Sequence, residues 1–379
     1  METKRMSATM PRPFRPVKPG ELLQEELDAR GWTQGDLAAI LDRPVQAVNE
    51  IIAGKKAITP ETAVALSRAL GTSAEYWLRL DSLYRLDQLH QRSPQPEQDI
   101  SRRARTFAAA PVKELIKRGW LTVPNPKDPV QLERAVCDFL GTKSIDERPS
   151  LAFAARQGKS GDPQTASVVA WVCHVHSLAR KQKVSTFNPA HVSEAAKTLP
   201  QISAKDNGAA GVRQRLAEIG IRFVVAEHLP NTRVDGAAFW LDPRAPVVAL
   251  SLRYDRIDYF WFTLMHELAH IASSHAKDRP RIDDALVGRD SEPASEKQAE
   301  EKHVDGLASE WLVPAHRLAE FVTATSPYFY RARVLEFAQS LGVHPGIVVG
   351  RLQHEGHVPW THLRNLLERV RPQLAGAAA

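Results

Sequence analysis

Only two cysteines, Cys137 and Cys173, occur in 379 residues. So few thiols exclude a disulfide framework and fit a reducing compartment, so the expected location is the cytoplasm. No apolar run is long enough to span a bilayer. The N-terminus lacks the apolar core of a signal peptide, and no membrane partner is expected. No internal repeat is visible, which excludes a stacked-repeat architecture. Neither sign of charge dominates: 50 basic and 44 acidic side chains leave a net +6. That balance fits an anionic partner without demanding one. Lys4, Arg5, Arg12 and Arg15 make residues 1–16 a basic, Pro-interrupted arm that reads as flexible, with Lys18 just beyond it.

What is present begins with His266-Glu267-Leu268-Ala269-His270. It sits in a segment made apolar nearly all round by Phe260, Trp261, Leu264, Met265, Leu268 and Ile271, which predicts a buried helix. Histidines four apart share one helix face, so both imidazoles can reach one ion. Glu267 projects into the same cleft, where it can accept a proton from an attacking water. Two neutral imidazoles and a carboxylate suit Zn2+ with one position left open. The competing explanation is a structural polar network. Against it, two histidines and a glutamate are costly in an apolar helix unless paired or bound to metal.

The third ligand must come from elsewhere. In the stretch Glu300 to Pro314, a helix puts Glu301, Asp305, Ala308 and Leu312 on one stripe. Glu301 is the expected metal ligand, with Glu300 and His303 as alternatives. Asp305, one turn on, can hold the outer nitrogen of a ligating histidine. His275 follows the motif closely and reads as a cleft residue supporting the ligands. Cys173-His174-x-His176 is a weaker metal candidate, because it lies in an apolar helical stretch without a second ligand group.

This constellation resembles the ImmA/IrrE family of zinc metallopeptidases. The matching residues are His266-Glu267-Leu268-Ala269-His270, Glu301-x-x-Val304-Asp305 and Trp311-Leu312-Val313-Pro314. The stretch from Leu341 to Gln353 also looks like the end of that family's domain. Val304 replaces the usual alanine, Gly306-Leu307 stands where larger residues are common, and Ala269 replaces a glycine. Those are changes of packing residues, not of ligand types.

The N-terminal region carries a second signal. Glu21 to Ala29 reads as an amphipathic helix, Thr33 caps a helix from Gln34 to Leu41, and Asp42-Arg43 makes a tight turn. Asp42 there tolerates a left-handed backbone better than most residues. Pro44 is expected at the first position of a helix ending at Ala53. Thr59-Pro60 opens the next helix, and Ser73 caps the last. Short helices joined by tight turns suggest a helix-turn-helix DNA reader, with a plain helical bundle as the alternative. Gln34, Gln46 and Asn49 are the candidate base readers, since amides pair bidentately with adenine. Lys55 and Lys56 are candidate phosphate contacts. This region resembles the HigA-type antitoxins of the Cro-like repressor class, through Pro19-Gly20-Glu21-Leu22-Leu23, Gly54-Lys55-Lys56-Ala57-Ile58-Thr59 and Leu70-Gly71-Thr72-Ser73-Ala74-Glu75-Tyr76-Trp77-Leu78.

Between the signals, helices are expected over 100–118, 129–140, 166–181, 191–199 and 208–219, and strands over 221–225, 236–241 and 247–252. Helices are expected again over 315–324, 329–341 and 345–370. The fold class is therefore mainly α with a small β-sheet (α+β). A five-helix helix-turn-helix domain spans 17–90, a helical linker or scaffold 91–220, a zincin-like metallopeptidase core 221–320 and a C-terminal helical extension 321–379. Tyr254, Tyr259 and His316 are candidate donors to the charge that develops on a cleaved carbonyl. The resemblances imply a DNA-binding, antitoxin-like regulator with a zinc metallopeptidase that cleaves a repressor or partner protein. They equally allow a non-proteolytic antitoxin or repressor of a toxin–antitoxin or stress operon, in which the zinc fold senses or scaffolds. A homodimer on an inverted-repeat DNA operator is expected, with a protein substrate or toxin as the other partner.

Overall fold

A computed structural model describes residues 16–92, 95–147, 149, 163–230, 232–273, 281–284 and 296–374. The chain divides into two compact units between Ile100 and Ser101. The first holds α1 (Pro19–Asp28), α2 (Gln34–Ile40), α3 (Val45–Ile52), α4 (Pro60–Leu70) and α5 (Ala74–Arg92). Local chemistry sets most of the boundaries. Thr33 accepts from the Asp36 amide while Asp36 accepts from the Thr33 amide, a capping box that starts α2. Asp42 takes φ +51° in the turn before α3. Pro44 is the cap of α3, not its first helical residue as expected; its extended ψ of 138° leaves Val45 to open the helix. Gly71 ends α4 in the left-handed region. Leu23, Leu27, Leu37, Leu66 and Trp77 are wholly buried between the helices. The Trp77 indole N–H donates to Thr72 Oγ1 at 2.7 Å, so its one polar atom is satisfied.

The second unit is built on a four-stranded sheet. Its strands are β1 (Arg222–Val225), β2 (Val234–Trp240), β3 (Pro246–Leu250) and β4 (Arg281–Asp284), in the order β1-β3-β2-β4. β1 runs parallel to β3, and β2 is antiparallel to both of its neighbours. Alternate residues point to opposite faces, and both faces are buried. Phe223, Ala238, Val248 and Leu250 pack into one core. Val224, Ala237, Phe239, Val247 and Ala249 pack into another.

The second core is closed by Ala109 at the end of α6 (Gln95–Ala109), a helix that runs across the division at Ile100, and by α7 (Val112–Lys117), α8 (Pro129–Leu140) and α9 (Pro163–Arg180). The expected helix over 100–118 breaks between α6 and α7, because Pro111 lacks an N–H and disfavours helix at Ala110. Trp171 of α9 is fully buried and donates to the Ala226 carbonyl at 2.8 Å. Gln182 both donates to and accepts from Phe223, occupying the open edge of β1. The Cys173, His174 and His176 cluster serves packing. Burial pushes the Cys173 thiol up to about 12. His174 stacks on Trp120 with ring centres 3.8 Å apart, and burial with nearby Lys181 and Arg118 pushes it down to about 4.

The first core lies under α10 (Ala190–Thr198), α11 (Gly208–Glu218), α12 (Ile257–Ala272), α13 (Glu296–Leu312), α14 (Ala315–Thr325), α15 (Arg331–Leu341) and α16 (Pro345–His354). The expected helix over 345–370 stops at His354; Gly356 follows at φ +76° and Pro359 breaks any continuation. 3-10 turns at Leu199–Ala204 and Arg364–Leu366 and a short α17 (Arg371–Leu374) are the other helical elements described in the unit. Among the described residues, no helix is long and apolar enough to cross a membrane.

Candidate metal centre and nucleic-acid face

Helix α12 is buried on nearly every side, with Trp261, Leu264, Met265 and Leu268 fully enclosed. Its apolar character therefore carries His266, Glu267 and His270 inside with it, all at 0% exposure. Helix α13 packs along α12 and brings Glu301, 6% exposed, to the same point. The Nε2 atoms of His266 and His270 are 3.1 Å apart. Glu301 Oε2 lies 3.5 Å from the first and 3.9 Å from the second. Ligands about 2.0–2.1 Å from a tetrahedral zinc are separated by about 3.3 Å, so these spacings match three corners of such a site.

The histidine orientation has a visible cause. His266 Nδ1 lies 2.8 Å from Asp305 Oδ1. A carboxylate can only accept, so Nδ1 carries the proton and Nε2 is left with its lone pair facing His270 and Glu301. The structure thus brings together His266, His270, Glu301 and Asp305. Glu300 and His303 lie outside the group, His303 exposed on the far side of α13. His275 falls outside the described residues.

Sequence reading passed over Gly236. It lies in β2, where the pairing with β4 shifts register between Val234 and Gly236. A Cβ added there would stand 2.2 Å from Glu267 Oε1 and 2.9 Å from Thr263 Cγ2. The strand backbone is therefore pressed directly against the Glu267 carboxylate, and only glycine leaves room. A glycine breaking a strand pattern is the sequence signal for such an approach.

Of the candidate donors, Tyr254 and Tyr259 stack with centres 4.6 Å apart. Arg253 covers Tyr254 and Arg256 covers Tyr259, at 5.0 and 4.8 Å. Tyr259 also lines the cavity beside α12, and burial raises its phenol above the ordinary value. His316 is exposed on α14 and does not line that cavity.

In the first unit, Gln46 and Asn49 are exposed on the same side of α3, three residues apart. Gln46 Nε2 makes one 3.2 Å bond to Glu50 Oε1. Lys55 and Lys56 are exposed immediately beyond the helix. Gln34 is half-buried instead, and its side-chain amide donates to Gln24 Oε1 at 2.9 Å, tying α2 to α1.

Two family profiles match the chain: helix-turn-helix over residues 23–77, and IrrE N-terminal-like domain over residues 218–353. An uncharacterized HTH-type transcriptional regulator of Escherichia coli is 32% identical over 69 residues, which is 18% of this chain and 73% of that protein. The virulence-associated protein A' of Dichelobacter nodosus is 39% identical over 75 residues, 20% of this chain and 65% of that one. A solved HigA-family addiction module antidote protein from Coxiella burnetii is 34% identical and covers 22% of this chain and 94% of its own, with a TM-score of 0.21. The chain belongs to the helix-turn-helix regulators through its N-terminal unit, and residues 218–353 of its C-terminal unit match the IrrE N-terminal-like domain.

Proposed function

We propose that this protein is a DNA-binding regulator whose second unit is a zinc-dependent peptidase acting on a partner protein, a repressor or a toxin. The observation that carries this reading is the convergence of His266, His270 and Glu301 around one point, with Glu267 on the same helix. Zinc, when bound, supplies Lewis acidity toward a peptide carbonyl and makes water a stronger acid. His266, His270 and Glu301 are the residues that hold it, and Asp305 keeps His266 in the ligating tautomer. Glu267 takes the proton from the attacking water and returns it to the leaving amide nitrogen. Tyr259 is the candidate donor to the carbonyl oxygen. Incubating the zinc-loaded protein with candidate partner repressors and toxins tests the reading, with discrete fragments as the expected product. Intact partners after prolonged incubation would reject it.

Gly236 gives a sharper check on the role of Glu267. Because an alanine Cβ meets the carboxylate, Gly236→Ala must push Glu267 aside. A misplacement of about 1 Å costs about 100-fold in rate. The expected outcome is that loss in turnover with bound zinc unchanged. An equally active alanine variant would mean that Glu267 works from another position.

The first unit reads DNA through α3. Most modules of this class bind two half-sites as symmetric dimers, so we expect a homodimer on an inverted repeat. Gln46→Ala and Asn49→Ala should each relax base preference by about 1–3 kcal/mol at one position. Lys55→Ala and Lys56→Ala should weaken binding to every sequence and flatten its salt dependence. Gel-shift titrations on operator and scrambled DNA at two salt concentrations separate the two patterns. Full-length protein that binds neither DNA at low salt would exclude the reading.

A further inference from the structure

A cavity of about 80 Å³ opens one helical turn from the metal centre. Phe262, Thr263, Leu312, Ile347, Gly350 and Trp360 line it. His266, Glu267, His270 and Glu301 do not line it, but two of the residues that do stand next to them. The Phe262 ring lies 6.2 Å from the His266 ring. Thr263 and Glu267 Oε1 both crowd the position a Gly236 Cβ would take. The floor is formed where Gly350 of α16 lies against Asp258, whose Cβ would be 2.5 Å from an added one.

Two buried acids, Asp235 and Asp258, also reach the cavity, and at first sight make it a trap for a basic side chain. Each already has an arginine. Arg256 donates to both Asp258 oxygens, at 2.7 and 3.1 Å. Arg253 stands 3.5 Å from Asp235 Oδ1. A lysine or arginine entering the cavity would meet compensated charge and would lose its own hydration. An aliphatic or aromatic side chain would lose only unfavourable contact with water.

From this we infer that the cavity is the subsite that receives an apolar side chain of the cleaved protein beside the scissile bond. Leu312 and Ile347 set its preference, which rests on the peptidase reading above. The side chain enters between Phe262 and Trp360, whose half-exposed ring forms the rim.

The test uses full-length zinc-loaded protein and four hydroxamates, in which the hydroxamate binds the metal and one side chain varies. Acetohydroxamate reports the metal alone; the others carry an isobutyl, a benzyl or an aminobutyl group. Calorimetric titration should give the isobutyl or benzyl compound at least about tenfold tighter binding than the aminobutyl one, the scale on which apolar pockets discriminate. Ile347→Trp on α16 and Ser309→Phe on α13, both at positions that line the cavity, narrow it. At least one folded variant should lose that preference while binding acetohydroxamate as the wild type does. Equal affinities in the wild type, or a preference surviving in both folded variants, would overturn the inference. Failure of the peptidase reading appears separately, as the absence of any cleaved protein or peptide while the side-chain preference persists.

Discussion

Glu267→Gln is expected to retain zinc and DNA binding and to cut its partner at about 10²–10⁴-fold lower rate, the usual contribution of a positioned general base. The amide has nearly the shape of the carboxylate, so the fully buried position beside Gly236 stays filled. What is lost is the capacity to take a proton. Time courses of partner cleavage by the two proteins, with metal analysis of the same samples, measure the effect. Undiminished cleavage by the glutamine variant would remove Glu267 from the mechanism. Because Glu267 is not among the three grouped ligands, its loss and the loss of metal are separable.

His266→Ala and Glu301→Ala should instead purify with far less than the roughly one zinc per chain expected of the wild type. An open site with three protein ligands cannot lose one and keep its affinity. Asp305→Ala should weaken the metal by about 10–100-fold, because it frees the His266 ring to turn. Stability should follow occupancy. A ligand present at 1,000 times its Kd adds about 4.1 kcal/mol to the folded state. A chelator should therefore lower the melting temperature of the wild type and leave that of His266→Ala unchanged. Wild-type zinc content in both ligand variants would dismiss the assignment.

The parts legible in advance were those set by residues close together in the chain. The apolar surroundings of His266 and His270 announced a buried helix, and their four-residue spacing put both rings on one face. The stripe through Glu301 and Asp305 was readable for the same reason, and α12 and α13 do bring these residues together. In the first unit, Thr33 and Asp42 marked a helix start and a turn through their own backbone chemistry. Where the pattern was local but ambiguous, reading went astray. The apolar periodicity before Pro111 and after Pro345 continued past residues at which the chain turns. The strand at Arg281–Asp284 had no alternation to reveal it.

Local pattern alone put His266 and His270 on one helix and Glu301 and Asp305 on another, and set a helix-turn-helix region apart near the N-terminus. Spacing of 3.6 residues per turn and the cost of burying charge act within a few residues, so they leave a written pattern. Packing between distant segments fixed how tightly β2 presses on Glu267 and which arginine neutralises each buried acid. It also decided that α16, some 80 residues beyond the histidines, closes a cavity beside them. Those contacts join residues far apart in the chain, and their geometry depends on how whole layers pack. A glycine such as Gly236 carries no trace in the sequence of what its missing side chain makes room for.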